Sequence, residues 1–226
     1  MALQPHTRWR PGREILVVAT VTLLFVVAQP ADQWIFHHLA FAGIYDHGWG
    51  RMLRVAGYVP LWGLVALALV LHAWVPRLRG TLRHASQRGL LLFWAAALGG
   101  AVAELLKLAL RRERPGLTDG VHVFRPWSDR PFSTAQLGLP SSEAAVAFAA
   151  AAMLARLFPE ASLLWYALAL GCALTRVAAG AHFMSDVVLA ALVGYVVVLI
   201  LWPRRLARTG AGSSSDKRQG RRDINP

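Results

Sequence analysis

The chain has 226 residues, of which 56% are hydrophobic and 16% are charged, with one cysteine and a formal net charge of +12. A soluble domain usually has about a quarter charged residues, so this composition excludes an ordinary cytosolic enzyme, a disordered chain and a disulfide-stabilised scaffold. In an apolar chain, an excess of positive charge is a signal of membrane orientation more often than of nucleic-acid binding. We therefore expect one all-α polytopic membrane domain, in contact with membrane lipids and not with nucleic acid.

Six apolar stretches predict spanning helices, since a helix needs about 20 mostly apolar residues to cross the hydrocarbon core. They lie near residues 15–29, 55–75, 89–110, 141–158, 162–179 and 183–202. The first is short and is predicted to end at Pro30; a cleaved signal peptide is its alternative interpretation, because arginines precede it and small residues follow it. The prediction is a six-helix bundle over residues 1–203 and a disordered basic tail over 204–226.

The distribution of positive charge predicts the orientation of these helices. The larger share of the 24 Lys and Arg residues lies before the first stretch, in the 77–88 loop and in the tail. Positively charged loops stay in the cytoplasm, so both termini are predicted to be cytoplasmic and the loops at 29–54 and 111–140 to face outward. The 29–54 loop is typical of an interfacial aromatic belt with a short surface helix. Its aromatic residues are Trp34, Phe36, Phe41, Tyr45 and Trp49.

Charged side chains gather at the outward ends of the last four stretches. They are Lys107, Arg111, Arg112, Arg114, Glu143, Arg176, His182 and Asp186. Each costs about 2.5–3.5 kcal/mol when it lies at the centre of a spanning helix, so each one suggests a function. Taken singly, each also has an ordinary interpretation, such as a snorkelling lysine that pairs with Glu104. Their convergence at one leaflet predicts a site.

The residue types in this cluster predict phosphoryl transfer. Three cations are suited to surrounding a dianionic phosphoryl group, namely Lys107, Arg114 and Arg176. Ser141 is predicted to cap the fourth helix, whose amides and dipole favour an anion. His182 and Asp186 are four residues apart on one helical face, so Asp186 can fix the imidazole tautomer and leave the other nitrogen as a nucleophile. No acidic cluster or Cys/His set of metal-ligand spacing accompanies them, which favours a metal-independent reaction.

At these residues the sequence resembles the type 2 phosphatidic acid phosphatase (PAP2) superfamily. The first family motif, Lys and Arg-Pro separated by six residues, is matched over Lys107–Pro115. The third motif, Arg, five residues, His, three residues and Asp, is matched over Arg176–Asp186. The second motif, Pro-Ser-Gly-His, is altered here to Pro140-Ser141-Ser142-Glu143.

The resemblance implies a PAP2-like bundle that acts on a lipid phosphate or diphosphate, such as phosphatidic acid or undecaprenyl diphosphate, without a metal or other cofactor. It implies that His182 becomes a phosphohistidine and that Asp186 orients it. It implies phosphate binding by Lys107, Arg114 and Arg176, by the Ser141 hydroxyl and by nearby amides such as that of Ser142. The implied location is the bacterial inner membrane, with the site facing the periplasm or exterior.

The altered second motif leaves three accounts open, because Glu143 stands where the family has the histidine that protonates the leaving group. In the first account, Glu143 is itself the general acid, and the negative charge of the bound phosphate keeps its carboxyl group neutral. Alternatively, the leaving group of a diphosphate or sugar 1-phosphate needs little protonation. In the third account catalysis is lost, and the chain binds or transports a lipid phosphate. A phosphotransferase with the same intermediate is a further alternative.

The 111–140 loop holds polar and aromatic residues that the motifs do not use. They are His122, Arg125, Trp127 and Arg130. These residues fit either a lid that closes over the lipid head group or an ordinary interfacial loop.

Overall fold

The computed structural model describes residues 11–41, 43–75 and 85–202, and this part of the chain is all-α. Its α-helices are α1 (Pro11–Leu39), α2 (Gly48–Val55), α3 (Val59–Trp74), α4 (Ala85–Leu110), α5 (Ser142–Leu157), α6 (Ser162–Ala178) and α7 (Met184–Leu201). Short 3₁₀ turns follow α4 and α5, at Pro115–Leu117 and Pro159–Ala161. The predicted tail at 204–226 and most of the 77–88 loop lie outside the described residues.

Helix α1 is longer than the sequence predicts. It continues through Pro30 to Leu39, so the predicted end at Pro30 is wrong. Proline removes one backbone donor, whereas unwinding the chain inside a membrane would leave several backbone groups unpaired. The continued helix packs against α7 and places Asp32, which the sequence analysis assigned to a loop, in a buried position.

The second predicted stretch is divided into two helices. The short helix α2 meets α3 at a bend of 62°, so the expected span at 55–75 begins later, at Val59. Helix α2 supplies the short helix that was expected in the 29–54 region. The aromatic residues predicted as an interfacial belt are divided: Trp34, Phe41 and Trp49 are exposed, whereas the Tyr45 hydroxyl contacts α6.

Four helices among the described residues are long and apolar enough to cross a membrane, or five if the bent pair α2–α3 counts as one span. The four are α1, α4, α6 with its preceding 3₁₀ turn, and α7. Helix α5, predicted as the fourth of the six spans, has 16 residues and is about 24 Å long, less than the roughly 30 Å of hydrocarbon. It lies among α4, α6 and α7. The all-α membrane class is confirmed, and the count of six spans is approximate.

Small residues allow the neighbours of α5 to approach it closely. A Cβ atom on Gly194 of α7 would lie 2.6 Å from the amide nitrogen of Ala149, and one on Gly99 of α4 would lie 2.8 Å from the Ala149 Cβ. Stripes of small residues are the usual means of packing helices tightly in lipid, where burial of apolar surface gives no driving force. This packing fixes the first turn of α5, which carries Ser142 and Glu143, between α4 and α7.

The segment at 111–140 joins the C-terminal end of α4 to the N-terminal end of α5 and forms a cap. Two buried arginines hold this cap together from within. The buried Arg111 side chain donates to the carbonyls of Arg125, Pro126, Asp129 and Pro131. Arg125 is buried as well and donates to Glu113 and to the Ala135 carbonyl. Arg125 therefore organises the cap itself, whereas Arg130 is exposed and pairs with Asp129.

Candidate active site

The sequence-predicted site residues come together where the C-terminal ends of α4 and α6 meet the N-terminal ends of α5 and α7. Lys107 lies in the last turn of α4, Glu143 in the first turn of α5 and Arg176 in the last turn of α6. His182 lies between α6 and α7, and Asp186 is in the first turn of α7. Helix ends concentrate unpaired backbone groups and dipole charge, so this junction is suited to binding an ion.

The imidazole of His182 is held in one orientation by two acceptors. Its Nδ1 lies 3.0 Å from the Gly138 carbonyl oxygen and 3.4 Å from Oδ2 of Asp186. A carbonyl oxygen only accepts, so the hydrogen-bonding pattern assigns the proton to Nδ1 and leaves a lone pair on Nε2. Burial lowers the pKa of His182 to about 4, and the carboxylate of Asp186 opposes part of that effect. The ring is therefore a neutral base near neutral pH.

Gly138 makes this arrangement possible and was not singled out from the sequence. A Cβ atom at Gly138 would lie 2.8 Å from Oδ2 of Asp186, closer than real Cβ atoms approach an oxygen. Glycine therefore lets the cap bring its backbone carbonyl to His182 without displacing Asp186. The contact joins Gly138 to His182, which lies 44 residues later in the chain. Nothing in the local sequence at 138–140 indicates it.

Asp186 is anchored by more than the histidine. Its Oδ2 accepts from the backbone amide of Phe183 at 2.8 Å, and its Oδ1 accepts from Arg112 Nη2 at 2.5 Å. The side chains of Arg112 and Asp186 are both completely buried. From the sequence, Arg112 is one of the clustered charges and has no individual predicted role.

The three predicted phosphate-binding cations surround the junction. Lys107 Nζ donates to Glu104 Oε1 at 2.7 Å and to Ser142 Oγ at 2.9 Å. Arg176 Nη1 donates to the Tyr45 hydroxyl at 2.9 Å. Burial lowers the pKa of Arg114, and the positive charge of Arg176 lowers it further. Two arginines that repel each other in a confined space favour a bound anion.

Ser141 caps α5 as predicted from the sequence. Its hydroxyl accepts from the Ala144 amide at 3.4 Å, and its own amide donates to the backbone carbonyl of Asp186 at 3.2 Å. The Ser141 amide therefore ties α5 to α7. The Ser142 hydroxyl accepts from Lys107 and so orients that ammonium group. Phosphate binding by these two serines stays a prediction.

Glu143 is engaged by two arginines. Arg54 of α2 donates from Nε to Oε2 and from Nη2 to Oε1, each at 2.9 Å, and Arg176 Nε lies 3.4 Å from Oε2. A bidentate arginine pair stabilises the ionised carboxylate. This geometry disfavours a neutral Glu143 that donates a proton, so its role as general acid stays a prediction with the local charges against it.

Several residues of the site were not predicted from the sequence. Arg54 and Tyr45 lie in the region interpreted as an aromatic belt, and Tyr45 lies against Arg54 with its ring centroid 4.9 Å from the guanidinium carbon. Asp32 was missed because α1 was ended at Pro30. A carboxylate within a continued apolar helix would have been a signal, since such a group is costly in lipid.

Within residues 11–41, 43–75 and 85–202, no three His, Cys, Asp or Glu side chains are grouped so that they could hold a metal ion. The charges that face one another at the junction are mainly guanidinium and ammonium groups, which suit an anionic ligand.

Comparison with known proteins places these residues in a family. The model of the family described as the PAP2 superfamily matches residues 88–209. The chain is 36% identical over 107 residues to the lipid A 1-phosphatase of Rhizobium johnstonii, a match that covers 46% of this chain and 43% of that protein. It is equally similar to the lipid A 1-phosphatase of Rhizobium etli, over 46% of this chain and 45% of that protein. The chain thus matches less than half the length of these relatives. No solved structure matches it.

Proposed function

Because the chain belongs to the PAP2 superfamily, we propose that it is a membrane lipid phosphatase that uses His182 as its nucleophile. The observation that carries this proposal is the His182 ring, which donates from Nδ1 to the Gly138 carbonyl and therefore keeps a lone pair on Nε2. Arg114 and Arg176 act electrostatically on this same ring. A neutral nucleophile beside fixed cations is suited to attack on a phosphoryl group.

In the first step, the Nε2 lone pair attacks phosphorus and the bond between phosphorus and the leaving-group oxygen breaks. The leaving oxygen takes its proton from water. The Nδ1 proton remains hydrogen-bonded to the Gly138 carbonyl and close to Asp186, whose negative charge stabilises the positive ring of the phosphohistidine. In the second step, water attacks phosphorus and gives a proton to the hydroxide left by the first step, the phosphorus–nitrogen bond breaks and phosphate leaves. Lys107, Arg114 and Arg176 stabilise the charge on the phosphoryl oxygens in both steps.

The proposed substrate is a lipid whose phosphate has a good leaving group, such as a sugar 1-phosphate. Glu143 is paired with Arg54 and Arg176, so its carboxylate is poorly placed to supply a proton. Protonation by a general acid is worth about 10²–10⁴-fold, and its absence matters least when the leaving oxygen is already acidic. The oxygen on the anomeric carbon of a sugar is more acidic than that of a simple alcohol. The relatives' name, lipid A 1-phosphatase, supports this class of substrate.

The proposed location of the reaction is the outer leaflet of a bacterial inner membrane, with both termini in the cytoplasm. Orientation rests on the distribution of Lys and Arg residues. The cap at 111–140 supports an interfacial position, because it exposes the rings of Phe124, Trp127 and Phe132. Aromatic residues at this depth contact lipid head groups and the upper acyl chains.

The test is phosphate release by detergent-purified protein in the presence of a chelator. The substrates are lipid A, phosphatidic acid and undecaprenyl diphosphate, and the matched variant is His182→Ala. We expect release from lipid A and the diphosphate, slower release from phosphatidic acid, and no release by His182→Ala. Quenching with alkaline denaturant during turnover of ³²P-labelled substrate is expected to trap label on the wild type and not on the variant, because the phosphorus–nitrogen bond of a phosphohistidine survives base and is hydrolysed by acid.

Other outcomes point to the alternatives. Transfer of label to a second lipid in place of water would make the chain a phosphotransferase. Lipid binding without release from any of the three substrates would overturn the phosphatase proposal in favour of a binding or transport protein. Activity that survives His182→Ala would overturn the assignment of the nucleophile.

A further inference from the structure

A second group of buried polar residues lies behind Asp186, on the side away from His182. The Arg112 side chain is completely buried and has acceptors on both of its terminal nitrogens. Nη2 donates to Asp186 Oδ1 at 2.5 Å and to Ser185 Oγ at 2.6 Å. Nη1 donates to Gln29 Oε1 at 3.0 Å and lies 3.7 Å from Oδ2 of Asp32. A single guanidinium therefore lies between two carboxylates.

Asp32 belongs to this group although it comes from the first helix of the chain. Its Oδ1 accepts from the Ser185 amide at 2.9 Å, and its Oδ2 accepts from the Ser185 hydroxyl. His122 of the cap is the remaining titratable group that faces Asp32, with Nε2 3.1 Å from Oδ2. Asp32 and Gln29 lie outside the part of the chain that the PAP2 family model matches, residues 88–209.

Stability alone does not account for these charges. Two carboxylates and one guanidinium lose their hydration when they are buried, and apolar side chains of similar volume usually stabilise a core at least as well. With both carboxyl groups ionised and His122 neutral, Asp32, Arg112 and Asp186 together carry one negative charge, so the three charges do not cancel. Arg112 paired with Asp186 alone would neutralise that carboxylate and weaken its effect on His182.

We propose that Asp32 is a positioning residue that shares Arg112 with Asp186 and so keeps Asp186 negatively charged towards His182. The negative charge is needed when the imidazole becomes a positively charged phosphohistidine, so this inference rests on the proposed function. Asp32 touches neither His182 nor substrate, and it acts through Arg112 and Asp186. Helix α1 thereby becomes part of the catalytic framework.

The experiment moves the charge while changing the shapes of the side chains as little as possible. Asp32→Asn keeps the shape of the side chain and an acceptor for Ser185 but removes the charge. In the double variant Asp32→Asn with Gln29→Glu, a carboxylate is restored next to Nη1 of Arg112. A change of one charge near an ionisable ring alters its basicity by on the order of one pKa unit, or tenfold. We expect kcat to fall about tenfold in Asp32→Asn with KM within about twofold of the wild type. We expect the double variant to recover kcat to within about threefold.

Binding of orthovanadate supplies a readout that does not need turnover, because vanadate takes up the geometry of a phosphoryl group under attack. By calorimetry, we expect Asp32→Asn to weaken vanadate binding about tenfold, the double variant to restore it and His182→Ala to abolish it. If the wild type releases no phosphate but binds vanadate with this pattern, the proposed phosphatase function fails and the positioning role of Asp32 stands.

The inference is overturned if Asp32→Asn keeps kcat and vanadate affinity within twofold of the wild type. It is also overturned if Gln29→Glu restores neither quantity to a protein whose melting temperature is that of the wild type. If Asp32→Asn alone does not fold, the double variant is compared directly with the wild type. The inference is then overturned if kcat and vanadate affinity of the double variant do not come within about threefold of the wild type. Failure of both variants to fold would likewise count against the proposal, since a carboxylate at position 29 would then not replace the one at position 32.

Discussion

The two carboxylates of the candidate site, Asp186 and Glu143, are both paired with an arginine, yet their surroundings differ. Asp186 and Arg112 are completely buried, whereas the side chains of Glu143 and Arg54 are 21% and 32% exposed. The buried pair lies behind the proposed nucleophile, and the open pair lies where the family motif has its proton donor. A buried pair held by several hydrogen bonds has one low-energy arrangement, whereas a partly exposed pair can exchange its partners with water or ligand. We conclude that the site has a rigid side and an adjustable side.

The strongest way to break this comparison is to remove the two arginines separately. Arg112→Ala leaves the carboxylates of Asp186 and Asp32 buried without their shared cation, which is expected to lower the free energy of unfolding by about 3–5 kcal/mol. Arg54→Ala leaves Glu143 partly hydrated and still 3.4 Å from Arg176, so a loss of about 1 kcal/mol or less is expected. Reversible unfolding in mixed micelles measures both. Equal losses would contradict the distinction between the two sides.

Acid pH provides a second test of the rigid side. Burial lowers the pKa of His182 to about 4, from its usual value near 6.5. Above pH 6.5 the ring is neutral in the folded and unfolded states and makes no pH-dependent contribution. As the pH falls from 6.5 to 4, the unfolded chain binds a proton that the folded chain does not, so stability decreases by at most about 3 kcal/mol. Below pH 4 this contribution levels off.

Melting temperature in detergent between pH 7.5 and 4 measures this decrease. His182→Gln is the matched control, because it removes the titrating ring and is expected to flatten the profile over that interval. A His182→Gln protein with the same slope as the wild type would show that other groups cause the pH dependence. The exposed pair of Asp129 and Arg130 is not such a group, since the hydrogen bond from Arg130 lowers the pKa of Asp129 and confines its titration to more acidic pH.

The sequence predicted which charged residues come together at this site better than it predicted the residues that support them. Lys107, Arg114, Arg176, His182 and Asp186 lie together as their spacing suggested, because fixed spacing on helix ends determines where side chains meet. Asp32 and Gly138 were not predicted, since their contacts with Ser185 and His182 join distant parts of the chain. Such contacts depend on how α1 and the cap pack, and local periodicity carries no record of that packing.

The helix bounds also divide into those that the sequence predicted and those that it did not. The bounds of α4, α6 and α7 follow from apolar length, and the structure reproduces them within a few residues. The predicted end of α1 was wrong, because it took into account the helix-breaking effect of Pro30 and not the cost of free backbone groups in lipid. Tertiary enclosure explains why α5 is shorter than a span: a helix surrounded by protein has no need to match the thickness of the hydrocarbon core.

Two glycines offer a matched pair of smaller changes, one on each side of the site. A Cβ atom at Gly138 would lie 2.8 Å from Asp186 Oδ2, and one at Gly57 would lie 2.8 Å from Glu143 Cβ and from the Glu143 carbonyl oxygen. Gly138→Ala is expected to displace Asp186 and lower kcat about tenfold, because a misplaced nucleophile reacts slowly. Gly57→Ala is expected to leave kcat within about threefold and to lower the melting temperature instead. If Gly57→Ala lowered kcat about tenfold and Gly138→Ala did not, the rate would depend on the geometry around Glu143 and not on that around Asp186.

The smallest expected effect concerns Glu143 itself and distinguishes the accounts of the altered motif. If the leaving group needs little protonation, Glu143→Gln should change kcat on lipid A by no more than about threefold, because the uncharged amide still accepts from Arg54. Glu143→His restores the residue that the family motif has at this position. It should raise the rate on phosphatidic acid, whose leaving oxygen is a poor one, more than the rate on lipid A.

The ratio of the two rates is the decisive quantity, since it cancels any change in the amount of folded protein. A fall of a hundredfold or more in Glu143→Gln on both lipids would instead make Glu143 the working general acid, despite its two arginine partners. In that case substrate phosphate must draw Arg54 and Arg176 away from Glu143 and leave the carboxyl group free to hold a proton. Substrate binding would then rearrange the adjustable side of the site, whereas the rigid side would keep its arrangement throughout the reaction.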